Sequence, residues 1–155
     1  MSDRIRGALF NTLGDIQGLR VLDAFAGSGA LGLEAASRGA GEVLLIESDK
    51  PAQLTISDNI RQLQVWRTVR LVKANCSAWS DNNPGRQFDL VLCDPPYDDV
   101  QVATIAKLVR HVTAEGLLVV SWPGKQEIPA FDHFDLIDSK HYGDAQLLFY
   151  RRPDQ

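Results

Sequence analysis

Four consecutive residues, Asp94-Pro95-Pro96-Tyr97, bring together a carboxylate, two residues that fix the backbone and an aromatic ring. An amino group on an aromatic base is a poor nucleophile because its lone pair is delocalised into the ring. Two hydrogen-bond acceptors can localise that pair: the Asp94 carboxylate and the Pro95 backbone carbonyl would take the two amine hydrogens and leave the lone pair aimed at an electrophile. Pro95 and Pro96 fix the turn and remove competing N–H donors. Tyr97 supplies a face for a base that has left its helix or loop, a stacking contact worth roughly 1–3 kcal/mol. The amine can attack first and lose its proton afterwards to Asp94 or water, so positioning is the main catalytic requirement. Asp94, Pro95, Pro96 and Tyr97 are therefore the candidate catalytic residues.

A second constellation precedes it. Gly27-Ser28-Gly29-Ala30-Leu31-Gly32 follows an apolar run and opens a helical pattern, the arrangement that lets a backbone turn sharply against a ligand. Taken alone it fits a dinucleotide or S-adenosylmethionine. Asp23, four residues before Gly27, would repel a pyrophosphate but suits the ammonium group of a methionine moiety, which favours S-adenosylmethionine. Glu47, about twenty residues beyond the turn, is placed to accept hydrogen bonds from two ribose hydroxyls. Asn75 and Cys76 are expected at the adenine, through the Asn75 side chain and the Cys76 N–H. Phe25, Gly27, Ser28, Gly29 and Ser48 complete the expected cofactor contacts. A rigid turn alone could account for Asp-Pro-Pro-Tyr, but its company with Asp23, the glycine turn and Glu47 points to methyl transfer onto an amine.

These residues need elements to hold them. Ser2 or Asp3 can cap a first helix with Ile5, Leu9, Phe10 and Leu13 at helical spacing and Gly14 at its end. Strands are expected at 20–25, 42–47, 68–72, 88–93 and 116–121, with two more at 134–138 and 146–151. Helices are expected at 29–38, 51–63 and about 100–111, and loops around Cys76 and at 81–85. Alternation of this kind implies a mostly parallel sheet with helices on both faces and ligands at the C-terminal ends of its strands.

The 155 residues, 45% hydrophobic and 23% charged, suit a single domain with a real core. No apolar run approaches a membrane span and the first residues lack a signal peptide's apolar stretch, so a cytoplasmic protein without membrane association is expected, as a monomer. Cys76 and Cys93 lack metal-site or disulfide spacing and read as reduced thiols, and no metal is expected. The net charge of −4 argues against holding nucleic acid by bulk electrostatics. Local contacts would fall to Arg4 and Arg6, to Arg61, Arg67 and Arg70, or to Lys140-His141.

The sequence resembles the RsmD-type family of bacterial methyltransferases. The likeness rests on Asp3-Arg4-Ile5-Arg6 followed by Leu9-Phe10-Asn11, on Leu22 through Ala35, and on Asp94-Pro95-Pro96-Tyr97, and it covers almost the whole chain. The resemblance implies a Rossmann-like class I S-adenosylmethionine-dependent methyltransferase fold, with a seven-stranded, mostly parallel sheet whose last strand is antiparallel. It implies methylation of the N2 amine of a guanine in 16S ribosomal RNA, with that RNA or the small ribosomal subunit as partner. On the same resemblance Asp23, Gly27, Gly29, Glu47 and Asn75 would bind the cofactor, and Asp94, Pro95 and Tyr97 would hold the guanine. Family members usually carry a basic segment before the equivalent of Asp3, and the chain is read here as a single methyltransferase domain, 1–155, without it. The alternatives are another amine acceptor, such as DNA adenine or cytosine or a protein glutamine, and an inactive cofactor-binding paralogue. DNA enzymes of this type usually add a target-recognition insertion for which there is no room, and protein-amide enzymes usually show Asn at the Asp94 position.

Overall fold

The structure, a computed structural model, describes residues 1–154. Helix α1 (Asp3–Leu13) precedes β1 (Arg20–Asp23), α2 (Ala30–Ser37), β2 (Glu42–Glu47), α3 (Lys50–Leu63) and β3 (Val69–Lys73). Helix α4 (Cys76–Asn82), β4 (Phe88–Cys93), α5 (Val102–Leu108), β5 (Val112–Pro123), β6 (Asp135–Tyr142) and β7 (Ala145–Arg151) follow, with one 3-10 turn at Val109–His111. The seven strands form one sheet in the order β3-β2-β1-β4-β5-β7-β6. All pairings are parallel except those of β7, which runs antiparallel to both β5 and β6. This is the Rossmann-like methyltransferase sheet expected from the sequence.

The local reasons are legible. Ser2 caps α1 by accepting from the Ile5 N–H, and Gly14 at φ 71° ends it. Asp49 caps α3 by accepting from the Ala52 N–H, with Pro51 in the first turn. Side chains alternate across the strands. Val21, Val43, Leu45, Leu90 and Leu92 pack with Leu9, Leu31 and Ile56 on one face, under α1 to α3. Leu22, Leu44, Val91 and Leu118 pack with Trp79, Ile105 and Leu108 on the other, under α4 and α5. Central strands buried on both faces must read as near-continuous apolar runs, and they do.

Gly32 shows how closely α2 lies on the sheet, because a Cβ there would collide with Leu45 Cδ2 and press on Val43 Cγ1 at 3.1 Å. Leu45 and Val43 are fully buried, so yielding to a Cβ means repacking the core around them. Gly32→Ala is expected to cost about 1–3 kcal/mol of stability, as overpacked cores do, read as a lower urea midpoint with an unchanged slope.

Four boundaries differ from expectation. Residues 76–82, expected as loop and turn, form α4, because Asn75 caps it through two N–H groups and Trp79 anchors it in the core. β1 stops at Asp23, since Ala24 leaves its own ladder to bond Leu92 while Ala26 bonds Ile46. β5 starts four residues before Gly116 and absorbs a kink at Glu115, φ 63°. Strand β6 runs on to Tyr142; it is an exposed edge whose composition carries no apolar alternation.

α4 is tied to the 3-10 turn by a buried polar chain. Arg110 donates to the Ser80 hydroxyl oxygen at 2.8 and 3.1 Å, Ser80 shares a 2.7 Å hydrogen bond with His111 Nε2, and His111 Nδ1 lies 2.7 Å from the Arg86 carbonyl. A carbonyl only accepts, so Nδ1 carries the proton and Nε2 accepts from Ser80. His111 is fully buried and its pKa is pushed below 6.5, chiefly by burial.

Candidate active site

Connections from β1 run outward to β2 and β3, and those from β4 run the other way to β5, so the crossovers diverge between β1 and β4 and leave a crevice at the C-terminal ends of those strands. The segment after β1 is Ala24 to Gly27 and the segment after β4 is Asp94 to Tyr97. The two constellations found in the sequence therefore face each other by topology.

The crevice holds two principal cavities joined at Asp94 and Pro96. The first, about 250 Å³, is lined by Phe25, Gly27, Glu47, Ser48, Asn75 and Cys76, and also by Gln101. The second, about 420 Å³, is lined by Pro95 and Tyr97 together with Ile5 and Ala145. Ser28 lines a smaller recess beside them, again with Asp94.

Glu47 organises the first cavity. Its Oε1 accepts from the Gly27 N–H and its Oε2 from the Asp49 N–H, both at 2.8 Å, so one carboxylate ties the glycine turn to the start of α3. Each oxygen keeps a lone pair for a further donor.

Asp23 and Gly29 border none of these cavities, and Asn75, which borders the first, has part of its side chain already engaged. Asp23 is fully buried behind the turn; Oδ2 accepts from the Gly32 N–H at 3.1 Å and Oδ1 has no partner. Gly29 is buried with φ 85°, its missing Cβ facing Ile56 at 3.2 Å, so it serves the packing of α2 on α3. The Asn75 Oδ1 is spent on the Ser77 and Ala78 N–H groups, which leaves only its amide nitrogen for a ligand. Cys76 borders the cavity as the first residue of α4, its thiol pushed up to about 11 by burial.

Electrostatically the crevice suits a cation. Burial raises the Asp23 carboxyl to about 7, and the neighbouring Asp94 and Glu47 carboxylates add to the rise. An unpartnered buried carboxylate oxygen with two further carboxylates nearby repels a pyrophosphate and is relieved by a bound cation, which fits a sulfonium that also carries an ammonium group. Among the described residues no group of three or more His, Cys, Asp or Glu is arranged to hold a metal.

Asp94 is half-buried, and its Oδ2 lies 3.4 Å from the Met1 nitrogen. The Pro96 carbonyl accepts from Asp99 at 3.0 Å, whereas among the described residues the Pro95 carbonyl accepts no hydrogen bond. Tyr97 keeps 39% of its surface exposed, and its hydroxyl shares a 2.7 Å hydrogen bond with the buried hydroxyl of Ser121 on β5. Gln101, Ile5, Ala145 and Ser121 carried no signal in the sequence, because their relevance comes only from the tertiary packing of α1, α5, β5 and β7.

The "Conserved hypothetical protein 95" family model matches residues 1–151. The chain belongs to this family. It is the RsmD-type family whose motifs the sequence carries. "Ribosomal RNA small subunit methyltransferase D" of Buchnera aphidicola is 30% identical over 153 residues, which are 96% of this chain and 80% of that protein. A conserved hypothetical protein of Streptococcus pyogenes superposes with a TM-score of 0.86 at 34% identity, covering 95% of this chain and 94% of its own. The ribosomal protein L11 methylase of Lactobacillus delbrueckii shares the fold at a TM-score of 0.78 and 21% identity, over 96% of this chain and 77% of its own. The family member described here is thus a methyltransferase by fold, with S-adenosylmethionine as cofactor. Among the described residues no helix is long and apolar enough to cross a membrane.

Asp23 and His111 pull stability in opposite directions over one pH range. Asp23, raised to about 7 when folded and 3.8 otherwise, binds more protons in the folded state, so its contribution becomes more favourable as pH falls through 7. His111, lowered when folded, binds more protons in the unfolded state, so its contribution is lost as pH falls below 6.5. Asp23→Asn is expected to expose the histidine: its urea midpoint should fall between about pH 7.5 and about 5.5 more steeply than that of the unmodified chain. Adding His111→Asn should flatten that slope; parallel curves for all three proteins would refute the assignment.

Proposed function

We propose that the protein transfers the methyl group of S-adenosylmethionine to the N2 amine of a guanine in 16S ribosomal RNA. The observation that carries the proposal is the pair of acceptors side by side at the second cavity, the Asp94 carboxylate, which among the described residues keeps Oδ1 free beside its ion pair with the Met1 nitrogen, and the unengaged Pro95 carbonyl. The cofactor supplies an electrophilic methyl group on a positively charged sulfur. Glu47 would hold its ribose, Gly27 and Ser48 would border it, and the Asn75 amide nitrogen with the Cys76 N–H would meet its adenine. Asp23 would act across the glycine turn, its negative charge favouring the cationic ligand without touching it.

In the second cavity the guanine would stack on Tyr97, whose ring is held by Ser121. Its N2 hydrogens would go to Asp94 and Pro95, which turns the nitrogen's lone pair toward the first cavity, and Asp94 would accept the proton released after transfer. Pro96 would keep the two cavities in register by fixing the backbone between them. The name of the Buchnera relative supports ribosomal RNA of the small subunit as substrate. The RsmD-type motifs support guanine N2.

The deciding experiment offers labelled S-adenosylmethionine and the protein to naked 16S RNA, to small ribosomal subunits and to DNA, then identifies the modified nucleoside by mass spectrometry. N2-methylguanosine in either RNA sample is expected. Label only in DNA, or as methyladenosine in RNA, would replace the proposed acceptor with another amine.

A further inference from the structure

A polyanion meets an acidic crevice at the catalytic end of this molecule, so affinity for RNA must be supplied elsewhere. Several cations are already engaged: Arg20 is tied to Asp89, Arg38 to Glu34, Arg86 to Glu42 and Lys107 to Asp81. The edge strand β3 and the turn before it are different. Arg67, Arg70 and Lys73 are exposed, and among the described residues none of them forms an ion pair or a side-chain hydrogen bond. The carboxylates on the adjoining elements are occupied: Asp58 on α3 by Arg61, Glu42 on β2 by Arg86, and Glu47 by two backbone N–H groups.

Arg70 and Lys73 stand about 10 Å apart along β3 and, three residues apart, leave it on opposite faces, while Arg67 stands in the turn before it, so the three cations flank the open edge of the sheet from both sides. Because β3 is parallel to β2 and ends beside Ala74, Asn75 and Cys76, these cations run along the sheet edge from its far end up to the rim of the first cavity. At its start stands Trp66, 57% exposed in a turn closed by the bonds from Val65 to Ile60 and from Thr68 to Val65. An exposed indole on a rigid turn, followed by unpaired cations, has the chemistry of a single-strand nucleic-acid contact: bases stack on the ring and phosphates follow the charges.

The geometry points to β3 and its preceding turn as a second RNA contact, with Trp66 stacking an unpaired base and Arg67, Arg70 and Lys73 taking phosphates. This rests on the reading that RNA is the substrate. Four strand spacings separate β3 from β5, roughly 19 Å, so an RNA that fills both places must extend several nucleotides beyond the reacting base. That distance also gives the contact a role the acceptor cavity cannot play: it supplies affinity for the strand away from the reacting base.

The test is binding of the whole protein to naked 16S RNA, followed by tryptophan fluorescence and filter retention across a salt series. Trp79 is 6% and Trp122 2% exposed, so quenching on binding reports Trp66. Quenching is expected for the unmodified chain. R67A/R70A/K73A is expected to lose affinity by at least about tenfold and to flatten the salt dependence by about two in log–log slope. Trp66→Phe should retain affinity and Trp66→Ala should lose about fivefold or more, with cofactor Kd and urea midpoint unchanged throughout. Unquenched Trp66, or a triple variant that binds RNA with the same affinity and slope, would overturn the proposal. So would a loss seen with small ribosomal subunits and not with naked RNA, because the face would then dock a protein. Binding is read without methyl transfer, so failure of the proposed reaction is a separate result, seen as absence of methylguanosine.

Discussion

Asp94→Ala is expected to lower kcat by about 100-fold to 1,000-fold or more while leaving cofactor Kd within a few-fold. The expectation follows from what the carboxylate touches. Asp94 borders both cavities, but the first is organised by Glu47, which holds the glycine turn through Gly27 without help from Asp94. Removing Asp94 leaves one acceptor, the Pro95 carbonyl, for two amine hydrogens, so the nitrogen's lone pair stays conjugated with the base. Loss of an interaction made mainly as the new bond forms lowers kcat and kcat/KM together. Asp94→Asn keeps one acceptor oxygen but presents an NH2 group and cannot take the released proton; it should fall between the alanine variant and the unmodified chain. Single-turnover transfer with saturating RNA, paired with calorimetric cofactor binding, separates the effects. A parallel loss of cofactor affinity in both variants would make Asp94 a cofactor residue.

Much of this site was legible in the sequence because it depends on backbone turns. Asp-Pro-Pro-Tyr and the glycine turn each follow a buried strand, and a parallel sheet with diverging crossovers puts both at one crevice whatever the rest of the chain does. Asp23 was legible as an acid at the turn but not as a buried one, because strand alternation places its side chain on the face that α2 covers, where the Gly32 N–H waits for it. The capping role of Asn75 was not legible for a related reason. A residue type suited to an adenine edge is equally suited to capping a helix, and α4, short and without an apolar period, gave no warning that a helix began there. Ser121 and His111 illustrate contacts that no local pattern encodes: Tyr97 and Ser121 are 24 residues apart, Ser80 and His111 are 31 apart, and only the packing of β5 and α4 joins them.

Glu47→Ala is the second large effect, and it should appear in the opposite measurement. The carboxylate already accepts from Gly27 and Asp49, each at 2.8 Å, and in the proposed reading its two remaining lone pairs would accept from ribose hydroxyls in the first cavity, which Glu47 lines. Hydrogen bonds to a charged group contribute about 1.5–3 kcal/mol each, so losing two should raise cofactor Kd by about 100-fold or more. The alanine variant also leaves the Gly27 and Asp49 N–H groups without their acceptor, which loosens the turn against α3 and should lower the urea midpoint modestly. Glu47→Gln separates these contributions. Its single carbonyl can satisfy Gly27 or Asp49 but its NH2 group then opposes the other N–H donor, so it should recover part of the stability and little of the affinity. Once cofactor is saturating, transfer by Glu47→Gln should approach that of the unmodified chain, since Asp94, Pro95 and Tyr97 are untouched. A kcat loss as deep as that of Asp94→Ala at saturating cofactor would show that the glycine turn and the acceptor cavity are mechanically coupled through Asp94, the residue that borders both.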